Sequence, residues 1–149
     1  MNYFFAILAL ICTIFSSAQN TITNIDGSDY KFSKVAHLDA TPVQSQGRTA
    51  TCWSFSGLSF FESELIRKGN KNPTMLSEMY VVRKSYENKA DKFIRMDGKI
   101  NFAEGGAFHD IPWVIRNYGI VPFDVYNGLI NSESYDHAEF FEVLNGAVQ

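Results

Sequence analysis

Cys52 is the residue in this sequence best placed to do covalent chemistry. It lies in the stretch Pro42-Val43-Gln44-Ser45-Gln46-Gly47-Arg48-Thr49-Ala50-Thr51-Cys52-Trp53-Ser54-Phe55-Ser56. A thiol attacks a carbonyl only as thiolate, and a free cysteine keeps its proton to about pH 8.5. The pattern after Thr51 predicts a helix, which puts Cys52 in its first turn. There, unpaired backbone N–H groups and the positive end of the helix dipole favour the thiolate. Gln46 stands six residues earlier, across a loop containing Gly47. A loop of that length can bring the glutamine amide beside the thiol. With the Cys52 N–H it would form an oxyanion hole for a tetrahedral intermediate. Trp53 would shield such a site from water. The bland alternative is a small buried hydrophobe and a loop glutamine, since free cysteine is among the most buried residue types.

The cysteine inventory bears on that choice. There are two cysteines, and Cys12 falls inside an unbroken apolar or small run from Phe4 to Phe15. A membrane-spanning helix needs roughly 20 apolar residues, and this run is shorter. With Ser16-Ser17-Ala18 behind it, it reads as a secretory signal peptide over residues 1–18, cleaved near Ala18-Gln19. No Lys or Arg precedes the run, so the initiator amine is its only positive charge. The expectation is an exported protein, periplasmic or extracellular, with no stable membrane anchor. Its mature chain keeps Cys52 alone: a buried bystander, an intermolecular pairing site or a reactive group.

The elements that must hold these residues read as mainly helical. After an extended lead-in over residues 19–45, Phe55, Leu58, Phe61 and Leu65 form a helical stripe, with Arg67, Lys68 and Gly69 as its stop. A second helix is expected from about Ser77, with Met79, Val82, Tyr86 and Phe93 on one side, broken at Asp97-Gly98. Ile100 to Phe102 is a short strand or loop. Gly105-Gly106 is expected to open a third helix, with Pro112 in its first turn and Gly119 as its stop. A last amphipathic segment spans Ser134 to Leu144. The 149 residues are 46% hydrophobic and 19% charged, enough for one core, and the net charge of −3 without a Lys/Arg run argues against a nucleic-acid partner.

Gln46-Gly47 followed by Cys52-Trp53-Ser54-Phe55-Ser56 resembles the nucleophile region of the papain-like cysteine peptidases. Leu76-Ser77-Glu78 resembles the opening of that family's next helix. Glu104-Gly105-Gly106 and Tyr118-Gly119-Ile120-Val121-Pro122 resemble its later helix and turn. Within the family the pattern is most similar to the bleomycin hydrolase and aminopeptidase C branch, over roughly residues 41–128. The resemblance implies an α+β papain-like fold, of which residues 19–149 would be the mainly helical half. It implies a peptide or protein substrate, Cys52 as nucleophile and Gln46 in the oxyanion hole. Gly106, and less directly Gly105, would contact the substrate main chain. The branch implies aminopeptidase activity, with a homo-oligomer open as the assembly state; the chemistry calls for no cofactor or metal. Two departures occur together: the usual bridging cysteines are replaced by Thr49 and Ala103, and Ala50 replaces a usual glycine.

Several residues carry a structural reading beside the functional one. Gly105-Gly106 alone would be an ordinary turn, and Phe108 is either a pocket wall or a core ring. His109-Asp110 reads as a surface or capping pair, because adjacent residues face different sides of a helix and no second histidine completes a ligand set. His137 near Glu139 and Glu142, and the Glu62, Glu64, Arg67 and Lys68 charges, read as solvated helix surface. In papain relatives the histidine base and its orienting Asn or Asp lie about 130–150 residues beyond the cysteine, past Gln149. His37, His109 and His137 match no such position. The expectation is a cysteine peptidase whose base lies outside this stretch. The competing reading is a non-catalytic exported fragment or a protein-binding module that keeps the helical fold.

Overall fold

A computed structural model describes residues 25, 27–130 and 132–149. The apolar run and the expected cleavage site lie outside the described residues. Contacts divide the chain after His37. In the described part of the first unit, Ser28 N–H donates to the Ile25 carbonyl at 3.1 Å.

The second unit is built on four helices: α1 (Cys52–Arg67), α2 (Glu78–Arg95), α3 (Asp110–Tyr118) and α4 (Ala138–Val148). Most of the apolar stripes read from the sequence meet in one core, while Leu65 at the end of α1 stays exposed. Phe55 and Leu58 of α1 pack with Met79, Val82 and Tyr86 of α2 and with Ile111 and Val114 of α3. Val81 joins them, fully buried. Ser77 caps α2, its hydroxyl accepting the Tyr80 N–H at 3.0 Å. The helix stops as expected: Asp97 and Gly98 have φ of 50° and 69°. Asp97 N–H then donates to the Ile94 carbonyl and Gly98 N–H to that of Phe93, which satisfies the last turn. Ile100 to Phe102 forms no strand; Phe102 is buried and stacks on Phe141 at 5.7 Å.

Two helices begin later than the sequence suggests. Gly105-Gly106 does not open α3. The Asp110 carboxylate accepts the Ala107 N–H at 2.9 Å while Asp110 N–H donates to the Ala107 carbonyl at 3.0 Å, so the helix starts at Asp110. The last segment becomes helical only at Ala138, because the residues before it are used elsewhere. Arg48 N–H donates to the Tyr135 carbonyl at 2.9 Å, and His137 N–H to the Arg48 carbonyl at 3.1 Å, a parallel bridge between Arg48 and Asp136. A second, antiparallel bridge joins Leu76 to Pro122.

Two residues expected on the solvated surface are not there. Glu62 is 3% exposed. Its carboxylate accepts the Leu76 N–H at 2.6 Å and the Thr41 hydroxyl, tying the lead-in and the entry to α2 onto α1. His137 turns inward to Glu104, away from the expected neighbours Glu139 and Glu142. Glu64, by contrast, pairs with Arg67 at the surface as read.

Candidate active site

The loop before α1 holds itself in shape. Gln46 Nε2 donates to the Thr49 carbonyl at 2.6 Å, and the Thr49 hydroxyl donates back to the Gln46 carbonyl at 2.9 Å. The same hydroxyl lies 2.5 Å from that of Thr51, which is fully buried. Thr49 thus closes the loop by hydrogen bonds. Gly47 has φ of 59°, and a Cβ there would collide with the Tyr135 carbonyl; both demand glycine.

Thr51 ends the loop, its carbonyl accepting the Ser54 N–H at 2.9 Å. Cys52 is therefore the first residue of α1, an exposed free thiol. At a helix start the N–H groups ahead of the first hydrogen-bonded residue, here ahead of Ser54, have no carbonyl one turn back, and the helix dipole adds positive potential there. The turn is anchored from below: the Ser54 hydroxyl donates to the Glu78 carbonyl at the start of α2, at 3.0 Å.

Trp53 points the other way and is buried, 8% exposed, its Nε1 without a hydrogen-bond partner. Gly106 lies against its indole: a Cβ on Gly106 would come 2.6 Å from Cδ2 and 2.8 Å from Cζ2. On Gly105 a Cβ would meet nothing within 4 Å. Lys89 of α2 holds this loop by donating to the Ala103 carbonyl at 3.2 Å and to the Gly105 carbonyl. Its ammonium also lies 5.9 Å from the Trp53 ring centre and 5.6 Å from that of Tyr86. Burial lowers the Lys89 pKa, and the Asp110 carboxylate partly opposes this. A cavity of about 520 Å³ opens beside the loop, lined by Lys89, Gly105, Gly106, Ala107 and Asp110 among others.

The structure thus brings Trp53 and Gly106 into contact and sets Cys52 beside Trp53 on the outer face of the helix. Phe108 stands apart from that pair. It is 49% exposed and stacks on Phe61 at 5.5 Å, with Phe60 edge-on at 5.8 Å. His109 is exposed and 3.4 Å from Asp110. Among the described residues no group of three or more His, Cys, Asp or Glu side chains could hold a metal ion. No helix among them is long and apolar enough to cross a membrane.

Sequence reasoning passed over Lys89, took Glu104 only as part of the Glu104-Gly105-Gly106 resemblance, and placed His137 on a solvated helix face. Lys89 carried a usable signal: it follows Tyr86 by three residues, on the buried face of α2. Glu104 and His137 are 33 residues apart and meet only through the fold.

No family model matches this chain. It is similar to a peptidase. Aminopeptidase C of Lactobacillus delbrueckii subsp. lactis is 30% identical to it over 138 residues, 81% of this chain. The match spans 30% of the length of that relative. A distant likeness of this extent suggests a peptidase, and the mainly helical structure is compatible with a helical domain of one.

Proposed function

We propose that this chain carries the nucleophile half of a papain-like cysteine peptidase, of the aminopeptidase type. The observation that carries the reading is Cys52: a free, exposed thiol at the first position of α1, behind a loop in which Gln46 is fixed by hydrogen bonds. The Cys52 thiolate attacks the carbonyl carbon of a peptide bond. The negative charge on the carbonyl oxygen is met by the Cys52 N–H and the second N–H of the Gln46 amide, the first being occupied by Thr49. The C–N bond then breaks, and the amine leaves with a proton from a histidine outside residues 1–149. Water cleaves the thioester, giving the carboxylic acid and restoring the thiol. Gly106 offers backbone groups to the substrate, and Trp53 keeps water from the inner side of the nucleophile. Export through a signal peptide over residues 1–18 belongs to the same reading.

The test uses the full-length protein. Aminoacyl p-nitroanilides are hydrolysed by the wild type and not by Cys52→Ala. Iodoacetamide labels Cys52 at pH 6 at least about tenfold faster than it labels glutathione, an unactivated thiol. Labelling at the glutathione rate, together with hydrolysis that survives Cys52→Ala, would leave a non-catalytic module as the better description.

A further inference from the structure

We infer that His137 is a positioning residue that registers the Gly105-Gly106 loop against the Gln46-Gly47 turn; the inference rests on the peptidase reading above. His137 Nδ1 lies 3.1 Å from Glu104 Oε1, with the two side chains 14% and 20% exposed. The main chain of the same residue donates to the Arg48 carbonyl at 3.1 Å, and Arg48 N–H returns to the Tyr135 carbonyl at 2.9 Å. Glu104 directly precedes Gly105, and Arg48 directly follows Gly47. One residue therefore grips both loops next to their glycines, through its imidazole on one side and its amide on the other.

The geometry is held rather than incidental. The imidazole packs against Phe140 at 5.2 Å and Tyr86 at 6.3 Å between ring centres, which fixes its plane. Lys89 fastens the loop from another side, at the Ala103 and Gly105 carbonyls, and neither of these hydrogen bonds involves the Gln46 turn. His137 is not itself one of the buried core residues, and its imidazole reaches Glu104 from between Tyr86 of α2 and Phe140 of α4. A peptide lying across the Cys52 face would need Gln46 and Gly106 at a fixed separation. The Glu104–His137 link is a side-chain contact that ties the two loops together at their glycines. The role is one of position, since the imidazole nitrogen is engaged with Glu104.

Two measurements on the full-length protein separate this from the reading it rests on. In kinetics with an aminoacyl p-nitroanilide, His137→Ala raises KM by about tenfold and leaves kcat within about threefold. His137→Asn, whose amide N–H can reach Glu104 as Nδ1 does, brings KM back within about threefold of wild type. Iodoacetamide labelling of Cys52 is the same in all three proteins. Hydrogen exchange of the amides of residues 105–107 is faster in His137→Ala than in wild type, and this readout needs no activity. Should His137→Ala fail to fold, Glu104→Ala breaks the same link from the other end and is expected to behave alike. Unchanged exchange at residues 105–107, a KM equal to wild type, or a loss confined to kcat would overturn the inference. A wild type that neither hydrolyses the reporter nor labels faster than glutathione would overturn the peptidase reading instead, while the exchange measurement still decides the link.

Discussion

Gly106 and Trp53 are packed backbone against ring, so closely that the sequence can place no side chain between them. The indole is buried and belongs to the residue next to Cys52. The loop that holds Gly106 is in turn drawn onto α2 by Lys89, whose ammonium faces the Trp53 ring. The position of the first turn of α1 and the position of the 103–106 loop are therefore one geometric fact.

Alanine at the two glycines should behave oppositely. Gly106→Ala forces either the indole or the loop to move and should cost about 1–3 kcal/mol, the range of overpacking in a well-filled site. Gly105→Ala has open space around it and an ordinary backbone conformation, and should cost under about 1 kcal/mol. Urea midpoints of the two variants, read by tryptophan emission, check this. Equal midpoints would mean that the indole yields freely.

Helix positions and the stripe that forms the core were legible in the sequence because a 3.6-residue period is a local signal. So were the stops at Gly69, Asp97-Gly98 and Gly119, where glycine and left-handed backbone announce themselves. What stayed hidden is long-range pairing of polar groups. Glu62 looked like helix surface because the charges near it, Glu64, Arg67 and Lys68, are surface; its partners Leu76 and Thr41 lie 14 and 21 residues away. The starts of α3 and α4 were misplaced for a related reason. Asp110 captures the Ala107 N–H, and Arg48 draws residues 135–137 into a bridge that no helical pattern foretells.

Glu62 gives the sharpest test of that hidden pairing. Its buried carboxylate satisfies a main-chain N–H at the entry to α2 and a hydroxyl in the lead-in. Glu62→Ala strands the Leu76 N–H in a part-buried site and should cost roughly 2–3 kcal/mol, as for loss of a hydrogen bond to a charged group. Glu62→Gln keeps one acceptor oxygen and should lose less. Denaturant unfolding of the three proteins orders them wild type, Gln, Ala; an Ala variant as stable as wild type would return Glu62 to the surface class.

Glu78 sets a pH dependence of stability. It begins α2, where the helix dipole would favour the anion, yet it is 4% exposed and its Oε2 has no hydrogen-bond partner. Burial dominates and raises its pKa from 4.5 to about 7, with the nearby Glu62 charge adding to the shift. Between those two values the folded protein keeps a proton that the unfolded chain has lost, so stability falls as pH rises through this window. After allowance for solvent screening, the effect is on the order of 1–3 kcal/mol. Glu78→Gln cannot ionise. It should match wild type near pH 4.5 and exceed it in stability at pH 8, measured by urea unfolding at both. A variant that gains nothing at pH 8 would show that the carboxyl is hydrated after all.

Gln46 and Thr49 form a reciprocal pair, amide to carbonyl and hydroxyl to carbonyl, so substitution at Gln46 touches both loop shape and chemistry. The two can be separated. Removing the brace to Thr49 should cost about 1 kcal/mol of stability, the net worth of one neutral hydrogen bond. Removing an oxyanion donor should lower kcat by about 10²-fold, with KM little changed, because the donor acts on charge that develops only in the transition state. Gln46→Glu keeps the side chain's size but has no N–H to give, and its negative charge faces the Thr49 carbonyl and the developing oxyanion. It should therefore be at least as slow as Gln46→Ala. Thr49→Val loosens the loop while leaving the Gln46 amide in place, and it should lose stability with kcat within about fivefold of wild type. If Gln46→Ala and Thr49→Val slow the full-length enzyme equally, the glutamine only shapes the loop, and another group must meet the oxyanion.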